Sequence, residues 1–231
     1  MRRFEEEFDY LNHALLEMGA MVAQSVHRGV LALVERSEDD AYKVMRDETV
    51  IDECDIRIDA MAASLIALEQ PVAGDMRLVV AAIKISTDLE RMGDLAVNIA
   101  ARALSLMRQH ELGTPVDITG IANVVESMVL RSLDAFVRRD AALAQEVLTS
   151  DGSVDAMRNG IQGHVVEIMK RDADSIERAL DYLIIARSLE RIADHAKNIA
   201  EGVIFLVEGV DVRHQLVLST APSQLRLGMV E

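Results

Sequence analysis

The stretch Leu89–Ala100 reads Leu-Glu-Arg-Met-Gly-Asp-Leu-Ala-Val-Asn-Ile-Ala, and residues 189–200 read Leu-Glu-Arg-Ile-Ala-Asp-His-Ala-Lys-Asn-Ile-Ala. Eight of these twelve positions are identical at a spacing of 100 residues. Upstream, Glu48–Asp52 aligns with Asp151–Asp155 at a spacing of 103 residues. We therefore predict a duplicated domain. The difference in spacing places a length change between the second and third helices of the two units, because loops absorb such changes.

The rest of the chain has the periodicity of amphipathic helices. In residues 4–36, apolar side chains from Phe8 to Leu33 recur at steps of three and four, which is the spacing of one helical face. Pro71 with Gly74 is expected to end the second helix, since both residues disfavour helix interiors. The pattern predicts helices at about 4–36, 39–69, 75–110, 117–138, 140–171 and 172–208.

Short connections make consecutive helices antiparallel neighbours. The predicted fold class is therefore all-α, with two tandem homologous three-helix bundles of up-down-up topology. The first bundle is expected at 1–112 and the second at 113–208, after the linker Gly113-Thr114-Pro115. Residues 209–231 are expected to form a loosely ordered C-terminal tail, because the periodicity fades there.

The composition limits the classes of function. The net charge of −15 argues against nucleic-acid binding, which depends on Lys and Arg, and suits a cation or a basic partner surface. The single Cys54 cannot form an internal disulfide and is expected to be a small core residue. The longest uncharged apolar runs, such as Ala60–Leu68, are about half a membrane span. We expect a soluble, cytoplasmic protein that does not span the membrane.

Acidic side chains follow one side of each third helix. Glu90, Asp94 and Asn98 are four residues apart, and the repeat has the same types at its equivalent positions. Acidic residues on the second helices could meet them across the groove between the helices. Carboxylate and amide oxygens suit hard cations, which would relieve the repulsion between like charges. The candidate metal ligands are Glu48, Asp52, Glu90, Asp94 and Asn98 in the first unit, and Asp151, Asp155, Glu190, Asp194 and Asn198 in the second.

Two alternatives to a metal site remain open. Arg91 and Arg191 could neutralise the acidic side, or a metal-free helical adaptor could use it to dock a basic partner. Oxygen ligands alone would suit magnesium, calcium or manganese. His195 is a weak candidate ligand, since Leu95 is its counterpart in the first unit. A di-iron carboxylate enzyme would need Glu-x-x-His pairs, which the sequence lacks, so we expect no enzyme.

The segment Gln70–Val79, followed by Leu89–Asp94, resembles the signature of the PhoU family. The family's duplicated E/D-x-x-x-D motif on the third helices is matched by Glu90/Asp94 and Glu190/Asp194. Its acidic positions on the second helices are matched by Glu48/Asp52 and Asp151/Asp155. Arg213-His214 resembles its closing Arg-His. Two departures are Ala193 in place of the usual Gly, and fewer acids on the second helix of the second unit.

The resemblance implies a negative regulator of phosphate uptake and phosphate-starvation signalling. Such proteins contact the ATPase of the Pst phosphate transporter and damp the PhoR sensor histidine kinase. Some members carry iron or zinc clusters on the bundle surface, whereas oxygen ligands alone favour other metals, and the sequence leaves this choice open. It also leaves a homodimer open as an alternative to a monomer.

Overall fold

The computed structural model of the chain describes residues 2–209 and Val212. Every regular element in this part of the chain is helical, as the sequence predicts. The helices are α1 (Arg2–Glu35), α2 (Glu38–Glu69), α3 (Ala73–Met107), α4 (Thr119–Arg138), α5 (Ala141–Arg171) and α6 (Ile176–Glu208), with a short 3₁₀ helix (Ala173–Ser175) before α6. The predicted tail and the Arg213-His214 pair lie outside the described residues, apart from Gly209 and Val212.

The six helices form two three-helix bundles. Helices α1, α2 and α3 contact one another, and so do α4, α5 and α6. On α3 the apolar residues that recur at steps of three and four are all buried: Leu78, Ala82, Ile85, Leu89, Met92, Ala96, Ile99 and Ala103. Cys54 is also buried in the core, as the sequence predicts. Leu68, near the end of α2, is 67% exposed.

The turn between the first and second helices has the same geometry in both bundles. Arg36 and Arg139 both adopt a left-handed conformation with φ of 53°. The next residue caps the following helix in each case. Ser37 Oγ accepts a hydrogen bond from the Asp40 amide, and Asp140 Oδ1 accepts one from the Leu143 amide. The duplication therefore extends to the backbone geometry of the turn.

The second turns differ between the bundles, as the change in spacing predicts. The first bundle closes α2 with Gln70 in a left-handed conformation, and α3 begins at Ala73. The expectation that Pro71 and Gly74 together end the second helix is therefore wrong in part, because Gly74 lies inside α3. In the second bundle Asp172 accepts from the Asp174 amide and starts the 3₁₀ helix.

The two bundles pack against each other through α1 and α3 on one side and α4 and α6 on the other. Asp88 of α3 contacts His195 of α6, and Arg102 of α3 forms an ion pair with Asp181 of α6. Residue numbers therefore rise along α3 as they fall along α6. These central helices are therefore antiparallel. A single hydrophobic core runs through both bundles, and α2 and α5 lie outside the contact between the bundles.

Candidate functional site

The first acidic groove lies where α2 and α3 approach closely. A Cβ added to Gly93 of α3 would lie 3.2 Å from Cγ2 of the buried Ile51 of α2. The absence of a side chain at Gly93 therefore allows the close approach. Five carboxylates neighbour this contact along the two helices, and they define the first acidic groove: Glu48, Asp52, Asp55, Glu90 and Asp94.

The negative charges of the first acidic groove influence one another across the two helices. Burial, followed by the charges of Asp52 and Asp94, raises the pKa of Glu48 above its ordinary value. Burial, followed by the charge of Asp94, raises the pKa of Glu90. The positive charge of Arg91 lowers this pKa, whereas the α2 carboxylates Asp52 and Asp55 raise it further. The carboxylates of α2 and α3 therefore lie close enough for their mutual repulsion to raise the pKa values of Glu48 and Glu90.

Few positive groups offset these charges. Arg91 Nε lies 3.3 Å from Glu90 Oε2, and Arg91 Nη1 lies 3.3 Å from Asp94 Oδ2. The Arg91 side chain is 56% exposed, so water screens these contacts. Asp55 instead accepts a hydrogen bond of 2.6 Å from the hydroxyl of the buried Ser86. The first acidic groove is thus rich in carboxylate oxygens, with one exposed guanidinium at its edge.

The second acidic groove, between α5 and α6, consists of Asp151, Asp155, Glu190 and Asp194. Two basic side chains bind these carboxylates directly. Arg158 Nη2 donates to Glu190 Oε1 at 2.9 Å, and Lys197 Nζ donates to Asp151 Oδ2 at 2.6 Å. All four side chains of these ion pairs are at most 28% exposed.

Repulsion also persists in the second acidic groove. Burial, followed by the charges of Asp151 and Glu190, raises the pKa of Asp194 above its ordinary value, while Lys197 lowers it. The hydrogen bond to Asp151 raises the pKa of Lys197. The ammonium group is therefore held in its charged form beside the carboxylates of α5 and α6.

Three further polar side chains of the third helices were candidates. Asn98 is partly buried on α3. Asn198 donates to Asp88 Oδ1 at 3.4 Å, which directs its amide towards the first bundle. His195 Nδ1 lies 2.8 Å from the same carboxylate oxygen. The histidine thus joins the two bundles, in line with its weak standing as a metal ligand.

The donor set of the first acidic groove fits a hard cation, because it offers several carboxylate oxygens that repel one another. Glu48, Asp52, Glu90 and Asp94 are the side chains that could hold the ion. Within residues 2–209 and Val212, no group of three or more His, Cys, Asp or Glu side chains is arranged to hold a metal ion. Metal binding at either groove therefore stays a prediction.

Sequence reasoning missed the two ion pairs of the second acidic groove. At the repeat spacings Arg158 corresponds to Asp55, and Lys197 corresponds to Val97. Both changes bring a positive charge to the same groove. This coincidence is the signal in the sequence that could have revealed the pairs, but only the structure shows which carboxylate each one binds.

Comparison with known proteins also shows the duplication. The family model described as "PhoU domain" matches the chain twice, at residues 15–103 and 118–203. A PhoU homologue of Pseudomonas putida, named as a phosphate-specific transport system accessory protein, is 39% identical over 214 residues, which is 92% of this chain and 84% of the relative. The Pseudomonas aeruginosa homologue of the same name is 38% identical over 92% of this chain and 88% of its own length.

Solved structures agree in fold. The crystal structure of PhoU from Pseudomonas aeruginosa matches with a TM-score of 0.87 and 38% identity, over 90% of this chain and 100% of that chain. The phosphate transport system regulatory protein PhoU from Streptococcus pneumoniae matches with a TM-score of 0.83 and 27% identity, over 90% and 99% of the two chains. Among the described residues, no helix is long and apolar enough to cross a membrane. With both bundles matched by the domain and nearly the whole chain aligned to these relatives, the chain belongs to the PhoU family.

Proposed function

We propose that this chain is an accessory regulator of phosphate transport that acts in the cytoplasm as a negative regulator of phosphate-starvation signalling. The observation that carries the proposal is the match of the PhoU domain to both bundles. It is supported by relatives named as accessory proteins of phosphate-specific transport, which this chain covers over 84% and 88% of their lengths. The proposed role requires no catalysis.

The proposed partners are the ATPase of the Pst phosphate transporter and the PhoR sensor histidine kinase. The chain carries a net charge of −15, and its α2 and α5 helices lie outside the contact between the bundles. Acidic side chains on these outer helices, including the exposed Asp52 and Asp155, are accessible to a basic protein surface.

Gene deletion tests the regulatory role. We expect phosphate-responsive genes to be switched on in phosphate-rich medium when this gene is absent, and to be repressed again when the wild-type gene is restored. The measurement is a reporter fused to a phosphate-responsive promoter. The same test belongs in a strain that lacks any second copy of the gene. Normal repression in that strain would overturn the proposal.

We also propose that the acidic motifs bind metal, with the first acidic groove as the favoured site. The support is electrostatic: burial and neighbouring carboxylates raise the pKa values of Glu48 and Glu90, and a cation would relieve that cost. Asn98 could add a neutral oxygen. The bound metal is proposed as iron or zinc by family resemblance, and magnesium, calcium or manganese remain the alternatives that oxygen ligands favour.

Elemental analysis of protein purified without chelator or a metal-affinity column tests this second proposal. We expect bound metal in the wild type and its loss in Asp94→Ala, which should keep its helices because the Asp94 side chain is 42% exposed. Asp39→Ala is a matched control, since that carboxylate is exposed on α2 and pairs with Lys43. Equal amounts of bound metal in the Asp94 variant and the wild type would overturn the first acidic groove as the site. A wild type without bound metal would favour the metal-free adaptor, whose acidic surface docks a basic partner.

A further inference from the structure

The two acidic grooves are built alike, but two of the differences between them introduce a positive charge into the second groove. Residue 55 of α2 is Asp, and its counterpart on α5 is Arg158. Residue 97 of α3 is Val, and its counterpart on α6 is Lys197. Arg91 and Arg191 are present in both units, so they do not distinguish the grooves.

We infer that the second acidic groove is a metal-independent structural site in which Arg158 and Lys197 take the place of a bound cation. The guanidinium of Arg158 donates to Glu190 at 2.9 Å and to Gln162 at 2.8 Å. The ammonium of Lys197 donates to Asp151 at 2.6 Å. One carboxylate from each helix of this groove therefore already has a positive partner supplied by the chain itself.

These contacts disfavour a metal ion in two ways. Glu190 and Asp151 would have to leave their partners before their oxygens could coordinate the ion. The two basic groups would then lie beside a cation in a partly buried groove, where like charges repel more strongly than in open water. The second acidic groove thus opposes metal binding before any property of the metal is considered.

Both obstacles are weaker in the first acidic groove, because the basic partner of Glu90 and Asp94 is the exposed Arg91. Asp55 adds a carboxylate where the second unit has Arg158, and the Ser86 hydroxyl holds it with a hydrogen bond of 2.6 Å. Val97 offers no charge. The basic side chain at this groove is Arg91, which is 56% exposed and is matched in the second unit. A metal-responsive first bundle and a metal-independent second bundle follow from these differences.

This inference rests on the metal-binding part of the proposed function, and an exchange of residues tests the two separately. Arg158→Asp with Lys197→Val gives the second groove the residues of the first. Asp55→Arg with Val97→Lys does the reverse. Lys170→Val with Arg171→Asp is the matched control, because it makes the same charge change at the exposed end of α5.

Titration calorimetry with Mn²⁺, and with Zn²⁺ in parallel, would count ions bound by chelator-treated protein. We expect one equivalent for the wild type and the control, two for the Arg158/Lys197 variant, and none for the Asp55/Val97 variant. In metal-free buffer the Arg158/Lys197 variant should also melt below the wild type, and added metal should restore the lost stability. If that variant does not fold, Lys197→Val alone should still show a second equivalent, bound more weakly than the first.

The outcomes separate the two proposals. Two equal equivalents in the wild type would overturn this inference while leaving metal binding by the family motifs intact. No metal on the wild type, but one equivalent on the Arg158/Lys197 variant, would support the inference and refute the first-groove proposal. An Arg158/Lys197 variant, and a Lys197→Val variant, that bind no more metal than the wild type would overturn the inference directly.

Discussion

Replacing Glu90 and Glu190 by Gln, one at a time, should change stability in opposite directions. The two residues occupy equivalent positions on α3 and α6, and their side chains are 23% and 16% exposed. Glu90 neighbours the carboxylates Asp52, Asp55 and Asp94, whereas Glu190 accepts a hydrogen bond from Arg158. The same substitution therefore removes a negative charge that is surrounded by carboxylates at residue 90 and paired with a guanidinium at residue 190.

The expected magnitudes follow from these contacts. Glu190→Gln weakens a hydrogen bond between charged groups, which contributes about 1.5–3 kcal/mol, while relief from Asp194 four residues away returns a few tenths. The expected net loss is about 1–2 kcal/mol. Glu90→Gln relieves repulsion of about 0.2–0.5 kcal/mol per carboxylate neighbour and loses an exposed contact with Arg91 that contributes about 0.2–1 kcal/mol. With three such neighbours, the expected net change is a gain of about 0.5 kcal/mol.

Urea unfolding in chelator, at low salt and near neutral pH, measures both free energies of unfolding. For a chain of this size, 1 kcal/mol corresponds to a change in Tm of about 2–4 °C. Glu167→Gln serves as the control, because Glu167 is an exposed partner of Lys170, and its effect should stay within about 0.5 kcal/mol.

The gain from Glu90→Gln should depend on pH. Because the pKa of Glu90 is raised in the folded state, the folded chain binds this proton more tightly than the unfolded chain does. The ionised Glu90 carboxylate therefore lowers the stability of the protein at pH values above its pKa in the folded state. This cost disappears as the pH falls to 4.5, the ordinary pKa of a Glu side chain. Losses of similar size for both variants near neutral pH, or a gain from Glu90→Gln that grows on acidification, would refute this reasoning.

Two other predictions concern packing and the contact between bundles. Gly19→Ala should destabilise the protein by about 1–3 kcal/mol in urea unfolding, since the new Cβ would overlap Leu133 Cδ1, whereas Gly160→Ala, with open space around it, should be neutral or stabilising. Arg102→Met should cost about 1–3 kcal/mol because it leaves Asp181, whose side chain is 7% exposed, without its partner at 3.3 Å. Adding Asp181→Asn to the Arg102 variant should recover part of that loss, and no recovery would contradict the importance of the pair.

The repeated segments made most of the fold predictable. The similarity of the segments around Glu90 and Glu190, which lie 100 residues apart, predicts the duplication. Apolar residues at steps of three and four predict which side of each helix is buried. The turn after α2 was harder, because Gln70 takes a left-handed conformation that is usually associated with glycine. The antiparallel contact of α3 with α6 also escaped prediction, since both helices are apolar over much of their circumference.

The candidate site was predictable only in part, for a physical reason. Spacing along one helix shows which carboxylates share a side, so Glu90 and Asp94 could be placed together from the sequence. Spacing does not show which side chain on a neighbouring helix reaches them. The pairs Arg158–Glu190 and Lys197–Asp151 join residues 32 and 46 positions apart, and they depend on how α5 and α6 pack.

The most direct test of the proposed role is the binding of the purified chain to the ATPase of the Pst transporter from the same organism. Biolayer interferometry with the ATPase immobilised, and the cytoplasmic part of PhoR as a second surface, would measure it. The regulatory proposal predicts saturable binding to at least one of the two, weakened by salt if the acidic surface contributes. Two folded, active partners that show no saturable binding to this chain, at low salt and with Mn²⁺ or Zn²⁺ added, would contradict it.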